Sequence, residues 1–150
     1  MILNRLVTTW LLAACMGVAV LSGCGDKADA APSLVGTWAE TERITTTYDA
    51  QNQAQAPFVQ PSPAGQLLVL RADGTYTYTT RLDGAMNGTY ATSGATYTAT
   101  RIVPNASPRT FTLTILEVTA TALRLEEVIN RHDLAGNPIR SLLETRYVRK

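Results

Sequence analysis

The chain has 150 residues, 45% of them hydrophobic, and 13 Lys and Arg set against 12 Asp and Glu. So even a balance offers no charged field that would suggest nucleic acid or an anionic surface as partner. The length suffices for one hydrophobic core and is short for two domains.

The first element in chain order is an apolar run. Arg5 is its one positive residue, residues 6–25 carry no charge, and Leu21-Ser22-Gly23-Cys24 closes it with small residues. This is a signal-peptide layout. An uncleaved span needs ~20 predominantly apolar residues, and this stretch is diluted by Thr, Ser and Gly. Leu21-Ser22-Gly23-Cys24 resembles, at every position, the lipobox of bacterial lipoprotein precursors. The resemblance covers residues 1–25 and implies cleavage between Gly23 and Cys24, so that residues 1–23 are a signal peptide. It further implies acylation of Cys24 with palmitate-type chains and attachment to the cell envelope. Two or three acyl chains hold firmly where one is marginal, since each buried CH₂ contributes about 0.8 kcal/mol. Gly25, rather than Asp, after the Cys implies by that family's sorting pattern the outer membrane, facing the periplasm.

Cleavage would remove Arg5 and Cys15, leaving 12 basic against 12 acidic side chains, and lipid would consume Cys24. The remaining domain would have no thiol for a disulfide, for catalysis or for a metal, and its single His gives no soft-metal site. No cofactor is expected. Residues 24–33, small and polar after the Cys, form a lipidated tether; the nine after the Cys reach at most ~30 Å. The folded domain is expected over residues 34–150.

From Leu34 the composition turns to Thr, Tyr, Val, Ile and Leu in short alternating runs, which is strand composition. Strands are predicted over 35–48, with Trp38, and over 66–72, with Leu67-Leu68-Val69-Leu70; Asp73-Gly74 turns the chain. Thr75-Tyr76-Thr77-Tyr78-Thr79 alternates with both Tyr on one face. Asp83-Gly84 and Ser93-Gly94 mark turns around Gly88-Thr89-Tyr90, and a strand over 96–103 follows. Phe111, Leu113 and Ile115 then share a face, as do Leu123 and Leu125, and a last strand covers about 141–149. Segment 49–64, rich in Ala, Gln and Pro, reads either as a lid over one barrel end or as a disordered excursion. A helical turn near 128–134 is the one non-strand element considered. The reading is all-β: about eight antiparallel strands, best closed as an up-and-down barrel because closure removes exposed edges.

The ordered set Gly36-Thr37-Trp38, Leu68-Val69-Leu70 through Asp73-Gly74-Thr75-Tyr76, Gly88-Thr89-Tyr90 and Arg146-Tyr147-Val148-Arg149 resembles small bacterial lipocalin-like domains across most of the chain after residue 33. The resemblance implies that Trp38 plugs the closed base with Arg146 or Arg149 stacked on it, a cation–π contact of about 0.5–2 kcal/mol. It also implies an interior able to hold a small apolar ligand, although an eight-stranded barrel can be filled by its own side chains. By parity the inward set is Leu68, Leu70, Tyr76, Tyr78, Phe111, Leu113, Ile115, Leu123 and Leu125. Fatty-acid carriers with a similar start hold a carboxylate with an Arg and a Tyr two apart on the last strand. Here Arg146 and Tyr147 are adjacent and face oppositely, while Tyr147 and Arg149 stand in reversed order, so no such clamp is assigned.

No catalytic residue is assigned. His132 lies in Asn130-Arg131-His132-Asp133, a polar segment read as solvated loop. Glu117, Glu126 and Glu127 read as surface partners of Arg124 and Arg131. Asn87-Gly88-Thr89 and Asn105-Ala106-Ser107 match a eukaryotic glycosylation pattern, which a bacterial lipobox sets aside; Asn87-Gly88 reads instead as turn chemistry. Two functions follow for a noncatalytic, membrane-anchored barrel. One is a carrier or sensor of a small apolar molecule; the other is a protein-interaction module, an envelope scaffold or inhibitor with a self-filled interior.

Overall fold

The computed structural model describes residues 32–81, 84–103, 106–134 and 136–150. The signal segment with Gly23, Cys24 and the tether up to residue 31 lie outside the described residues, as do Asp83, Asn105 and Ala135. Nine strands follow in chain order: β1 (Gly36–Tyr48), β2 (Phe58–Pro61), β3 (Leu67–Leu70), β4 (Thr75–Thr80), β5 (Gly84–Ser93), β6 (Thr96–Arg101), β7 (Arg109–Val118), β8 (Ala122–His132) and β9 (Pro138–Arg149). All pair antiparallel. From β3 to β9 each strand pairs with the next, and β1 joins β3 on one edge and β9 on the other. The result is a closed eight-stranded up-and-down barrel, all-β as the alternation predicts. Every strand's partner lies within residues 36–149, so the sheet closes within that segment.

Segment 49–64 is neither a lid nor an excursion. β1 is 13 residues long and β3 only four, so β3 covers β1 only from Gly36 to Ala39. Beyond that the edge of β1 would stand open. β2 fills it, pairing from Glu42↔Pro61 to Thr45↔Phe58, after a bridge between Tyr48 and Ala54. An unpaired ladder edge is a liability, and a short added strand blunts it. The helical turn considered near residue 128 is also corrected: β8 runs on to His132 in register with β9, ending at His132↔Pro138. β7 and β8, by contrast, pair only between Thr114–Val118 and Leu123–Glu126. One end of the barrel is therefore loosely closed.

The other end is sealed. Trp38, Leu70 and Leu123 are 0–1% exposed, and the Trp38 indole N–H donates to the Leu34 carbonyl at 2.8 Å. The Arg149 guanidinium carbon lies 4.2 Å from the Trp38 ring centroid. Its two terminal nitrogens donate to the carbonyls of Val35 at 3.0 Å and Ser33 at 2.6 Å. Arg146 is not part of this base. It faces outward, as its parity relative to Arg149 requires, and pairs with Glu42 at 2.8 Å and Glu144 at 2.6 Å. Arg124 extends that outer array to Glu144 and Glu117 at 2.8 and 3.4 Å.

Asn87-Gly88 is not a turn but lies inside β5, with Gly88 opposite Tyr76. A Cβ on Gly88 would run into the Tyr76 ring and the Thr100 carbonyl, so the missing side chain makes the space in which that ring lies. Gly88→Ala is expected to destabilise the barrel by about 1–3 kcal/mol through overpacking, read as a lower urea midpoint at unchanged slope. A neutral effect would mean that the ring is not held against β5.

Candidate functional site

Above the sealed base the barrel holds a partly open cavity of about 280 Å³. Of the residues predicted to face inward, Leu68, Tyr76, Tyr78, Phe111, Leu113 and Leu125 line it. Leu70 and Leu123 lie in the base core and Ile115 packs against that core. Met86, Tyr97, Leu143, Thr145 and Tyr147 complete the largely apolar wall, and Arg43, Arg101 and Glu127 supply its charges. Sequence parity had not singled out those three charges. Glu127 in particular belongs to the interior and not to the outer array of Glu117 and Arg124.

The polar end of the cavity is built around Glu40, whose side chain is 0% exposed. β1 and β9 shift register between Glu40 and Glu42, a bulge that inserts Thr41 and resets the alternation. Glu40 and Arg43, of opposite parity, thereby reach the same interior. Arg43 donates to both carboxylate oxygens, Nε to Oε1 at 2.7 Å and a terminal nitrogen to Oε2 at 3.2 Å. The Ser62 hydroxyl donates to Oε1 at 2.5 Å, and the Gln66 amide, turned so that its nitrogen rather than its oxygen faces the carboxylate, donates to it at 2.8 Å. Tyr78 donates to Oε2 at 2.6 Å and accepts from Arg43 at 2.7 Å. A buried carboxylate is tolerated only when its lone pairs are met in this way. Burial is the largest influence on the Arg43 pKa and lowers it, yet the Glu40 hydrogen bond together with the charges of Tyr78, Glu40 and Tyr147 outweighs it and the net movement is upward. Burial, and then the Glu40 hydrogen bond, push the Tyr78 phenol up.

Three other phenols face the cavity differently. Tyr76, Tyr97 and Tyr147 are 7%, 3% and 8% exposed, and none of their hydroxyls has a hydrogen-bond partner among the described residues. Burial raises all three pKa values. At Tyr147 the charge of Glu40 adds to burial, at Tyr97 the neighbouring Tyr76 and Tyr90 do, and at Tyr76 Arg101 partly opposes it. Tyr97 is backed by Tyr90, stacked at 5.7 Å between centroids. Arg101 and Glu127 each lack an ion-pair partner among the described residues. Tyr147 points into the cavity while Arg149 caps the base, so these two form no clamp.

His132 lies away from the cavity, in a groove with Tyr48, Asp49 and Arg140 at the tips of β8 and β9. Among the described residues no group of three or more His, Cys, Asp or Glu could hold a metal ion.

Neither a protein-family model nor a curated protein matches the chain. Among solved structures, it is similar to the crystal structure of a lipocalin-like protein from Bacteroides uniformis. The two share 12% sequence identity over 78% of this chain and 98% of the other, with a TM-score of 0.46.

Proposed function

We propose that the protein is a noncatalytic lipoprotein of the bacterial envelope, held through acylated Cys24 in the outer membrane facing the periplasm, whose barrel carries a small, largely apolar ligand. The observation that supports it is the cavity. Its volume of about 280 Å³ lies near the lower edge of the roughly 300–1,000 Å³ range of small-molecule sites. An apolar wall interrupted by a few polar groups is the usual composition of such a site. The lipobox resemblance supports the anchor.

Mass spectrometry of the full chain expressed in bacteria reads both halves of the proposal. The expected species has lost residues 1–23 and gained acyl mass that Cys24→Ser abolishes, and under native conditions it carries one small apolar molecule recoverable by solvent extraction. An uncleaved, unacylated chain would overturn the anchor. A barrel that arrives empty and ignores hydrophobic probes would overturn the carrier.

The second reading, a protein-interaction module, is favoured by β2. Phe58 and Val59 there are 67% and 50% exposed on a strand with one free edge, which a partner's strand could extend. An empty, unresponsive barrel would turn attention to that edge.

A further inference from the structure

The hydrogen-bonding groups of the cavity are unbalanced in one direction. Arg43 and Tyr78 are already committed to Glu40. What remains of the donors is Arg101, with five N–H donors and no acceptor, and the hydroxyls of Thr145, Tyr76, Tyr97 and Tyr147. Each of these phenols belongs to a side chain more than nine-tenths buried and has no partner among the described residues. The hydroxyls are not sealed off, since Arg149 Nε is the one inaccessible side-chain polar atom without a partner among the described residues. They are donors left open on the cavity wall, which is complementary to an occupant that brings acceptors. Against these donors Glu127 is the one cavity-lining carboxylate among the described residues; it disfavours a second negative charge.

Shape narrows the class further. Tyr76, Tyr97 and Phe111 present aromatic surface to the cavity, which suits a flat ring packed offset or edge-on. A dry cavity of about 150 Å³ accepts benzene, so one of about 280 Å³ accepts two fused rings or one ring with a short chain. A long acyl chain would be only partly enclosed by that volume.

We propose that the occupant is a small aryl monoacid, its ring against the tyrosine and Phe111 wall and its single anionic group held by Arg101 and the unpartnered phenols. This rests on the small-ligand reading above, and its test separates the two. Residues 25–150, which contain the whole closed barrel, are titrated calorimetrically at neutral pH with 2-naphthoate, neutral 2-naphthamide and cationic 2-naphthylmethylamine. The acid is expected to bind at least about tenfold more tightly than the amide, through charge-assisted hydrogen bonds, and the amine most weakly. Arg101→Met should remove the preference for the acid and leave amide affinity within about threefold, since uniform apolar contact is retained. Equal binding of acid and amide, or tightest binding of the amine, overturns the aryl-acid assignment and leaves the small-ligand reading standing. An acid preference unchanged in Arg101→Met overturns the role of Arg101. No binding of any of the three up to millimolar concentration overturns both readings. The wild-type series decides the ligand class by itself should the variant fail to fold.

Discussion

Replacing Trp38 with Ala is expected to cost about 3–5 kcal/mol, a large share of the roughly 5–15 kcal/mol that holds a domain folded. Trp38 is fully buried in one core with Leu70 and Leu123, its N–H satisfies the Leu34 carbonyl, and Arg149 lies across its ring. Truncation opens a void at the sealed end. It also takes the aromatic face from a guanidinium whose Nε is already buried without a partner. Trp38→Phe keeps a ring beneath Arg149 and loses the hydrogen bond, so its cost should be clearly smaller. Urea denaturation of both variants checks the order. Equal midpoints, or a loss below about 1 kcal/mol for Trp38→Ala, the size of an ordinary surface substitution, would show that the base is not held by this side chain.

Above pH 10 the barrel is expected to lose stability steeply and to unfold as its tyrosines ionise. Burial raises the pKa values of Tyr76, Tyr78, Tyr97 and Tyr147, because the interior accommodates the neutral phenol and not the phenolate. In the unfolded chain the same groups titrate near the reference value of about 10. Below that pH both states hold the proton and the contribution is constant. Above it the unfolded state releases the proton first, and each such tyrosine removes up to about 1.4 kcal/mol per pH unit until its folded pKa is reached. Tyr97 and Tyr147, less than a tenth exposed, would together remove about 3 kcal/mol per unit by the same relation. Tyrosinate absorbance and far-ultraviolet circular dichroism, followed through an alkaline titration, should therefore change together for these groups. Ionisation of the full tyrosine complement in a barrel that stays folded would contradict the burial of the cavity wall.

The strands that read clearly in the sequence are those with undisturbed two-residue alternation. Tyr76 and Tyr78, Phe111 and Leu113, and Leu123 and Leu125 place their inward faces without ambiguity, and these strands fix the barrel and most of the apolar wall. The polar end of the cavity was hidden by the same rule. A bulge at Thr41 changes the phase of β1, so no parity argument from Trp38 could bring Glu40 and Arg43 to one side. Glu127 continues the parity of Leu123 and Leu125 along β8, and was hidden because a pair of adjacent carboxylates resembles a surface. β2 was invisible for another reason. Its four exposed residues carry no alternating burial, and only the mismatch in length between β1 and β3 creates the vacancy it fills. Asn87-Gly88 carries strong turn chemistry, yet the turn lies earlier and the glycine serves the Tyr76 ring instead.

The contacts of Arg149 to Ser33 and Val35, with the Lys150 amide donating to the Thr37 carbonyl at 2.9 Å, bring both described ends of the chain out side by side behind the sealed base. A cargo, tag or anchor joined to either end therefore sits at the back of the barrel and leaves the loosely closed end unobstructed. For a chain held through Cys24, a nine-residue leash of at most ~30 Å would join the barrel on the side of its sealed base. On the carrier reading proposed above, the membrane would then serve as a mooring behind the sealed base, and the loosely closed end would be left to the aqueous space.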